Sequence, residues 1–303
     1  MILGYYKLRE QPFGVTPDPR YLYMGATHRE AMASVQYGYK ANRGFTALVA
    51  PPGMGKTTLL FNLLQELKNS AKTVFLFQPQ YDPHGLLRSI LTDLEIDAGD
   101  GSIVEMHNRL NGFLVGESEA GRRVVVVIDE AQNLKEPVLE ALRMLSNFET
   151  PREKLLHIVL AGQPQLAERL SSANMTQLRQ RISIVARLSP FNGSETGAYI
   201  THRLRVAGYE DEKPLFTAAA SAMIAKHAGG IPRNINNLCF HALSIGCVKK
   251  DTQIGVDVIE EAVSDVDIAS LIGEPAVPVV APAKQMVQPA ITLTMPIAKV
   301  AKS

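Results

Sequence analysis

The sequence predicts an α/β fold in which a parallel β-sheet, covered by helices on both faces, is followed by a smaller all-helical domain. Three observations carry the prediction. Between residues 45 and 188, short apolar runs of strand length alternate with stretches whose apolar residues recur at helical spacing. The runs are apolar at nearly every position, as strands buried on both faces must be. After Pro190 such runs stop, and helical patterns punctuated by glycine remain.

Taken in order, residues 1–27 are rich in Pro, Tyr and Phe. Pro12, Pro17 and Pro19 fix φ and argue against regular helix, and Phe13, Tyr21 and Tyr23 are expected to anchor the segment on the core. Thr27 is predicted to cap a helix over His28–Lys40, with Glu30 in its first turn. Strands are then predicted at Phe45–Val49, Thr73–Gln78, Val124–Ile128, Leu156–Ala161 and Ile182–Leu188. Helices are predicted between them at Lys56–Asn69, Pro83–Leu94, Ile103–Leu114, Glu136–Phe148 and Gln165–Leu170. Ser194–Val206, Thr217–His227, Arg233–Val248 and Val256–Val266 read as the helices of the second domain, with Gly208, Gly229, Gly230 and Gly255 between them. Beyond Gly273 the chain is rich in Pro, Ala and Val, and Pro275, Pro278, Pro282, Pro289 and Pro296 prevent a long helix, so a disordered tail is expected. The expected domains are thus a Pro/aromatic segment at 1–27 packed on the core, a core at 28–190, a helical lid at 191–270 and a tail at 271–303.

Composition narrows the class. With 46% hydrophobic residues in 303, the chain can bury a real core. A net charge of +1 gives no global basic field of the kind that marks nucleic-acid binders. Cys239 and Cys247 fall on one predicted helix, more than two turns apart, too far to bridge each other. With no zinc spacing, no histidine cluster, no signal-peptide pattern and no apolar stretch of membrane length, a soluble protein of a reduced, cytoplasmic compartment is expected.

The octapeptide Ala50-Pro-Pro-Gly-Met-Gly-Lys-Thr57 joins an apolar strand to a helix whose Leu59, Leu60, Leu63, Leu64 and Leu67 share a face. Strand, glycine-bearing loop, Gly-Lys-Thr and helix is the layout of a P-loop. Its first position is Ala where Gly is usual. Backbone N–H groups of such a loop and its helix N-terminus converge on phosphate oxygens. Gly53 and Gly55 can take positive φ and admit the phosphate to the backbone. Pro52, Gly53, Met54, Gly55, Lys56, Thr57 and Thr58 are therefore the expected nucleotide-binding residues, with Lys56 on the β- and γ-phosphates and the Thr57 hydroxyl on Mg²⁺.

Val124-Val-Val-Val-Ile-Asp-Glu130 is the second signal. A wholly apolar run needs a buried central strand, and its end delivers two carboxylates to the rim where α/β ligands bind. Asp129 is expected to hold Mg²⁺, and Glu130 to orient and deprotonate the attacking water. Gln163, at the tip of the adjacent strand, is a candidate partner of that water or of the γ-phosphate; the alternative is a plain N-cap before Pro164. Arg179 and Arg181 precede the last strand, where an arginine can reach a neighbouring subunit's nucleotide; Arg181 is preferred, and a solvated basic turn is the alternative. Gly229-Gly-Ile-Pro-Arg-Asn234 presents Arg233 in the first turn of a helix, against the macrodipole, which an anionic γ-phosphate nearby would offset.

Together these features resemble the AAA+ ATPases. Tyr5-Tyr-Lys-Leu-Arg-Glu-Gln-Pro-Phe13, Thr16-Pro-Asp-Pro-Arg-Tyr-Leu-Tyr23, His28-Arg-Glu30, Ile128-Asp-Glu-Ala-Gln-Asn-Leu134, Leu160-Ala-Gly-Gln-Pro-Gln-Leu166 and Leu178-Arg-Gln-Arg-Ile182 resemble the ExeA/GspA family of general secretion pathway ATPases, over about residues 1–268. The resemblance implies ATP hydrolysis with Mg²⁺ by a homo-oligomeric ring or filament, coupled to assembly of a secretion or envelope protein partner. A cytoplasmic enzyme, held peripherally at the inner membrane through that partner, fits it. The secretion-pathway members carry a membrane span and a periplasmic peptidoglycan-binding region; this chain has neither, so cell-wall remodelling is not expected to carry over intact.

Two other readings compete. The family also resembles ATPases that assist DNA transposition, so duplex DNA is a second, less favoured partner. A P-loop small-molecule kinase is the third; it lacks an evident acceptor site, and paired Asp129 and Glu130 favour water as acceptor. Adenine specificity is not fixed by the motifs, though the Tyr21–His28 region is expected to lie near the base.

Overall fold

The computed structural model describes residues 2–77, 82–99 and 101–265. The expected tail at 271–303 lies outside the described residues, as do the ends at Gln78 and Val266 of two predicted elements. The chain opens with a one-turn helix α1 (Ile2–Tyr5), a 3-10 turn at Pro19–Tyr21 and helix α2 (Ala26–Lys40). Then come β1 (Phe45–Val49), α3 (Lys56–Leu67), β2 (Ala71–Leu76), α4 (Pro83–Asp93), α5 (Ile103–Glu119) and β3 (Arg123–Ile128). A 3-10 turn at Ala131–Asn133 leads to α6 (Glu136–Leu145), β4 (Leu156–Gly162), α7 (Pro164–Leu170), α8 (Thr176–Arg181) and β5 (Ile182–Arg187). Four helices complete the described chain: α9 (Gly193–Val206), α10 (Ala218–Ala228), α11 (Pro232–Lys249) and α12 (Val256–Asp265).

The five strands form one sheet in the order β2-β3-β4-β1-β5, every pair parallel. Strand β3 shows why its sequence is a continuous apolar run. Val124, Val126 and Ile128 face a layer built by α4, α5 and α6 through Leu86, Ile90, Met106, Leu110 and Leu142. Val125 and Val127 face the opposite layer, where Met32 and Val35 of α2 meet Leu59, Leu60 and Leu63 of α3. Both faces are dry, so the period-2 alternation of a half-exposed strand is absent. Each buried valine contributes about 1.5–3 kcal/mol by its removal from water.

Helices α9–α12, the helical domain below, belong to one compact unit with this core and are fastened to it by groups that local sequence does not reveal. Asn192 caps α9 by accepting from Glu195 N–H at 2.9 Å, and Glu195 Oε2 accepts from Asn192 N–H at 3.1 Å. The same carboxylate uses Oε1 to accept from Ala26 N–H, at 2.7 Å, at the start of α2. One side chain thus caps two helices, and these backbone donors hold the Glu195 carboxyl below the usual range. This corrects the predicted cap at Thr27. Helix α2 starts at Ala26, Thr27 Oγ1 donates instead to Ser189 O, and Glu30 falls beyond the first turn.

The first twenty residues also differ from expectation. They include the short α1, and they engage the helical domain rather than the core alone. Arg9 N–H donates to Ala207 O at 2.8 Å, Arg203 Nε donates to Pro12 O, and Phe13 packs edge-on against Phe216. The 3-10 turn reaches both sides, touching α3 and α9. Helix α8 was not legible, because its six residues hold a single buried side chain, Leu178, and so no periodicity. Among the described residues no helix is long and apolar enough to cross a membrane.

His157 on β4 is 4% exposed, with Nε2 3.3 Å from Thr46 Oγ1 and Tyr39 edge-on to its ring. Burial, with the Arg123 charge, pushes its imidazole down to about 4 from 6.5. The unfolded chain therefore binds more protons between these values. Stability is full above about 6.5 and falls as pH drops through that window. Urea melts between pH 7 and 4.5 are expected to show that decline, with a shallower slope for His157→Asn; an unchanged slope would contradict the assignment.

Candidate functional site

The parallel register brings the ends of β1, β3 and β4 to one rim, with Val49 opposite Gly162 and Ile128 opposite Leu160. The chain leaves that rim through Ala50–Gly55, through Asp129 and Glu130, and through Gln163. Gly53 and Gly55 adopt φ of 79° and 84°, left-handed conformations that only glycine takes without strain. A Cβ at Gly55 would meet nothing nearer than His28 Nε2 at 3.9 Å, so the loop is open there to an approaching group. At Gly53 a Cβ would lie 2.9 Å from Arg233 Cβ, because Arg233 N–H donates to Gly53 O at 3.1 Å. The helical domain therefore touches the loop directly at the start of α11.

Beneath the loop, Thr57 Oγ1 donates to Asp129 Oδ2 at 2.6 Å, and Asp129 is wholly buried. These are two hard oxygens side by side, one carboxylate and one hydroxyl. Such a pair fits magnesium, which keeps most of its octahedral positions for water and substrate phosphate. Lys56, 6% exposed, places Nζ 3.5 Å from Glu130 Oε1. Glu130 has φ 52° and ψ 36°, a left-handed conformation unusual for a side-chain-bearing residue, and its N–H donates to Asp129 Oδ1 at 2.8 Å. Such conformations cost about 1–3 kcal/mol and gather at functional sites.

Two glutamines clasp the Glu130 carboxylate. Gln132 Nε2 donates to Oε2 at 2.5 Å and Gln163 Nε2 to the same oxygen at 3.1 Å. Gln132 Oε1 in turn accepts from Gln163 N–H at 3.0 Å. Burial pushes the Glu130 carboxyl up, but the Gln132 hydrogen bond, the Lys56 charge and Gln163 outweigh it and leave it below the ordinary range. Behind the loop, His28 is buried with Nε2 donating to Met54 O at 2.9 Å. Burial lowers its pKa against the opposing pull of Met54 O and Glu195, so it stands as a neutral donor.

Pro52 through Thr58, Glu130, Gln163 and Arg233 all line one cleft. Asp129 lies below its floor. Arg181 is not part of its wall; it is half-buried at the end of α8, where its charge is felt by Glu149. Arg179 is tied by Nη1 to Ser171 O at 3.3 Å. Sequence reasoning missed Gln132, although it follows Glu130 by two residues, and it missed the wall formed by Gly14–Pro17, Tyr199, Arg203 and Asn236.

Residues 39–170 match the AAA domain family. General secretion pathway protein A of Aeromonas hydrophila is 38% identical over 244 residues, covering 80% of this chain and 44% of that protein. The chain thus spans under half the length of that relative. Among solved structures, Cdc6p from Pyrobaculum aerophilum superposes with a TM-score of 0.63 at 17% identity, covering 87% of this chain and 74% of that one. The RuvB Holliday junction branch migration motor of Thermotoga maritima gives 0.56 at 21%, covering 80% and 70%. At these identities the two structures share the fold: a P-loop α/β core with a parallel sheet.

Removing the nearer glutamine tests the electrostatics of the site. Gln132→Leu is expected to move the Glu130 carboxyl up toward the ordinary glutamate value of 4.5, read by ¹³C NMR titration of the side chain. An unmoved midpoint would mean that Gln132 does not set the charge state of Glu130.

Proposed function

We propose that this chain, an AAA ATPase similar to General secretion pathway protein A, couples Mg²⁺-dependent ATP hydrolysis in a homo-oligomer to assembly of a secretion or cell-envelope export machine. The observation that carries the reading is the convergence of Lys56, Glu130, Gln163 and Arg233 on one cleft, directly above the Thr57–Asp129 pair. In this reading the enzyme works in the cytoplasm and is held at the inner membrane through its protein partner.

The loop N–H groups and Lys56 hold the β- and γ-phosphates. Thr57 and Asp129 would hold a magnesium ion, which would supply positive charge against the charge developing on the phosphates. Glu130, kept ionised by Gln132 and Gln163, accepts a proton from water as its oxygen attacks the γ-phosphorus. The bond to the β–γ bridging oxygen breaks, and ADP and phosphate leave. Gln163 has one hydrogen bond on Glu130, and so it orients the base and the water together. Arg233, in the first turn of α11, meets the γ-phosphate and transmits its presence to the helical domain.

Arg181 belongs to the neighbouring subunit's site in this scheme. It does not line its own cleft, and no hydrogen bond or ion pair of its side chain occurs among the described residues, whereas Arg179 is held to Ser171. Similarity to General secretion pathway protein A supports an envelope partner.

Glu130→Gln is expected to bind ATP with near-native affinity and to lose phosphate release by about 10²–10⁴-fold; normal release would refute the assigned base. Arg181→Ala alone is expected to lose turnover by about a thousandfold. Mixed with Glu130→Gln subunits, it should recover part of the rate, because each mixed interface can then unite an intact Glu130 with an intact Arg181. Full activity of a diluted monomer would contradict the oligomeric site.

A further inference from the structure

The cleft has two compartments joined by a neck. The first holds Lys56, Thr57, Glu130, Gln163 and Arg233. The second is walled by Asp18, Tyr21, Leu22, Tyr23, His28 and Phe191. Thr16, Met54, Gly55, Thr58, Tyr199, Arg203 and Pro232 belong to both walls and so form the neck. A nucleoside triphosphate laid through the cleft puts its β- and γ-phosphates in the polar compartment and its base among the aromatic rings. The α-phosphate and ribose then occupy the neck.

Arg203, on α9, is only 8% exposed and forms no ion pair among the described residues. Its contacts are neutral: Nε donates to Pro12 O and Nη1 to Tyr199 Oη at 2.9 Å. Tyr199 passes the bond on to Asn236 Oδ1 at 2.8 Å. The faces of Tyr21 and Tyr199 lie 4.6 and 5.6 Å from the guanidinium carbon. The acid that feels Arg203 at longer range, Asp18, is already clasped by Arg20 at 2.7 Å. No hydrogen bond among the described residues uses Nη2. A desolvated guanidinium without a counter-ion is costly, and a rigid set of neutral acceptors orients one edge of it while leaving the other free.

We propose that Arg203 is a nucleotide ligand that binds the α-phosphate through Nη2, a second arginine from the helical domain beside Arg233. The inference rests on the nucleotide-binding reading of the cleft. It separates the two arginines by phosphate: Arg233 answers to the γ-phosphate, present in ATP alone, and Arg203 to the α-phosphate, common to ATP, ADP and AMP. It also explains why the segment before α2 is bound to α9 at this point, since Pro12 O fixes the guanidinium that the phosphate needs.

Titration calorimetry of the full chain with ATP, ADP, AMP and adenosine tests it, by competition for the weak ligands. Arg203→Met is expected to weaken ATP, ADP and AMP by a common factor of about tenfold or more, and to leave adenosine unchanged. Equal affinities in variant and wild type would overturn the proposal. So would an equal loss for adenosine, which would mark a purely structural arginine. If Arg203→Met does not melt cooperatively, Arg203→Lys decides, with the same pattern at smaller amplitude expected and a flat or adenosine-inclusive loss overturning it. Wild-type protein that binds none of the four would instead overturn the nucleotide reading itself.

Discussion

The register of three parallel strands governs everything else in the molecule. Because β1, β3 and β4 run in the same direction and end within two residues of one another in register, whatever follows the final apolar position of each strand arrives at the same rim. The phosphate-binding loop, the acidic pair and Gln163 are spread over more than a hundred residues of sequence, and the shared rim brings them together. A slip by one residue in β3 would turn Val125 and Val127 into the wrong layer, and burial on both faces makes that slip costly in either direction. The chemistry is held by packing that never touches it.

A second level of organisation fixes the helical domain over this rim. Its fastenings include Glu195 on Ala26 and Arg233 N–H on Gly53 O, beside the ring contact of Phe191 with His28 and the packing of Ile231 against the core layer around α3. Backbone hydrogen bonds at an interface contribute about 0.5–1.5 kcal/mol each, far less than the combined burial around β3. The Arg233 N–H on Gly53 O places one of these fastenings at the glycine loop itself.

The portions of the site that were legible in the sequence are those whose chemistry is written in consecutive residues. Ala50–Thr57 and Val124–Glu130 each carry a strand, a turn and functional groups in one stretch, and the structure places them together. Gln163 was accessible because the strand before it had to lie beside β3. What was not legible depends on partners far along the chain. Glu195 looks like an ordinary helix-start acid until Ala26 N–H is seen at its other oxygen, and Thr27 looks like a cap for the same local reason. Gln132 bears a polar side chain in a turn, a description that fits dozens of harmless residues; only the Glu130 and Gln163 contacts separate it from them. Arg203 sits mid-helix in an unremarkable pattern, and its burial cannot be read without the aromatic segment that closes over it.

That segment has a consequence for how the protein comes into being. Pro12 O meets Arg203 across 191 residues of chain, and Gly14 O meets Asn236 across 222. During synthesis the ribosome releases the strap long before it makes the helices that receive it. The sheet and its loop can form without α9 and α11, but the strap has nothing to dock on until both have emerged. The far wall of the cleft, Gly14–Pro17 with Tyr199, Arg203 and Asn236, is therefore the last part of the cleft to be built. A nascent or clipped chain lacking α11 can display its glycine loop while remaining unable to enclose what the loop holds.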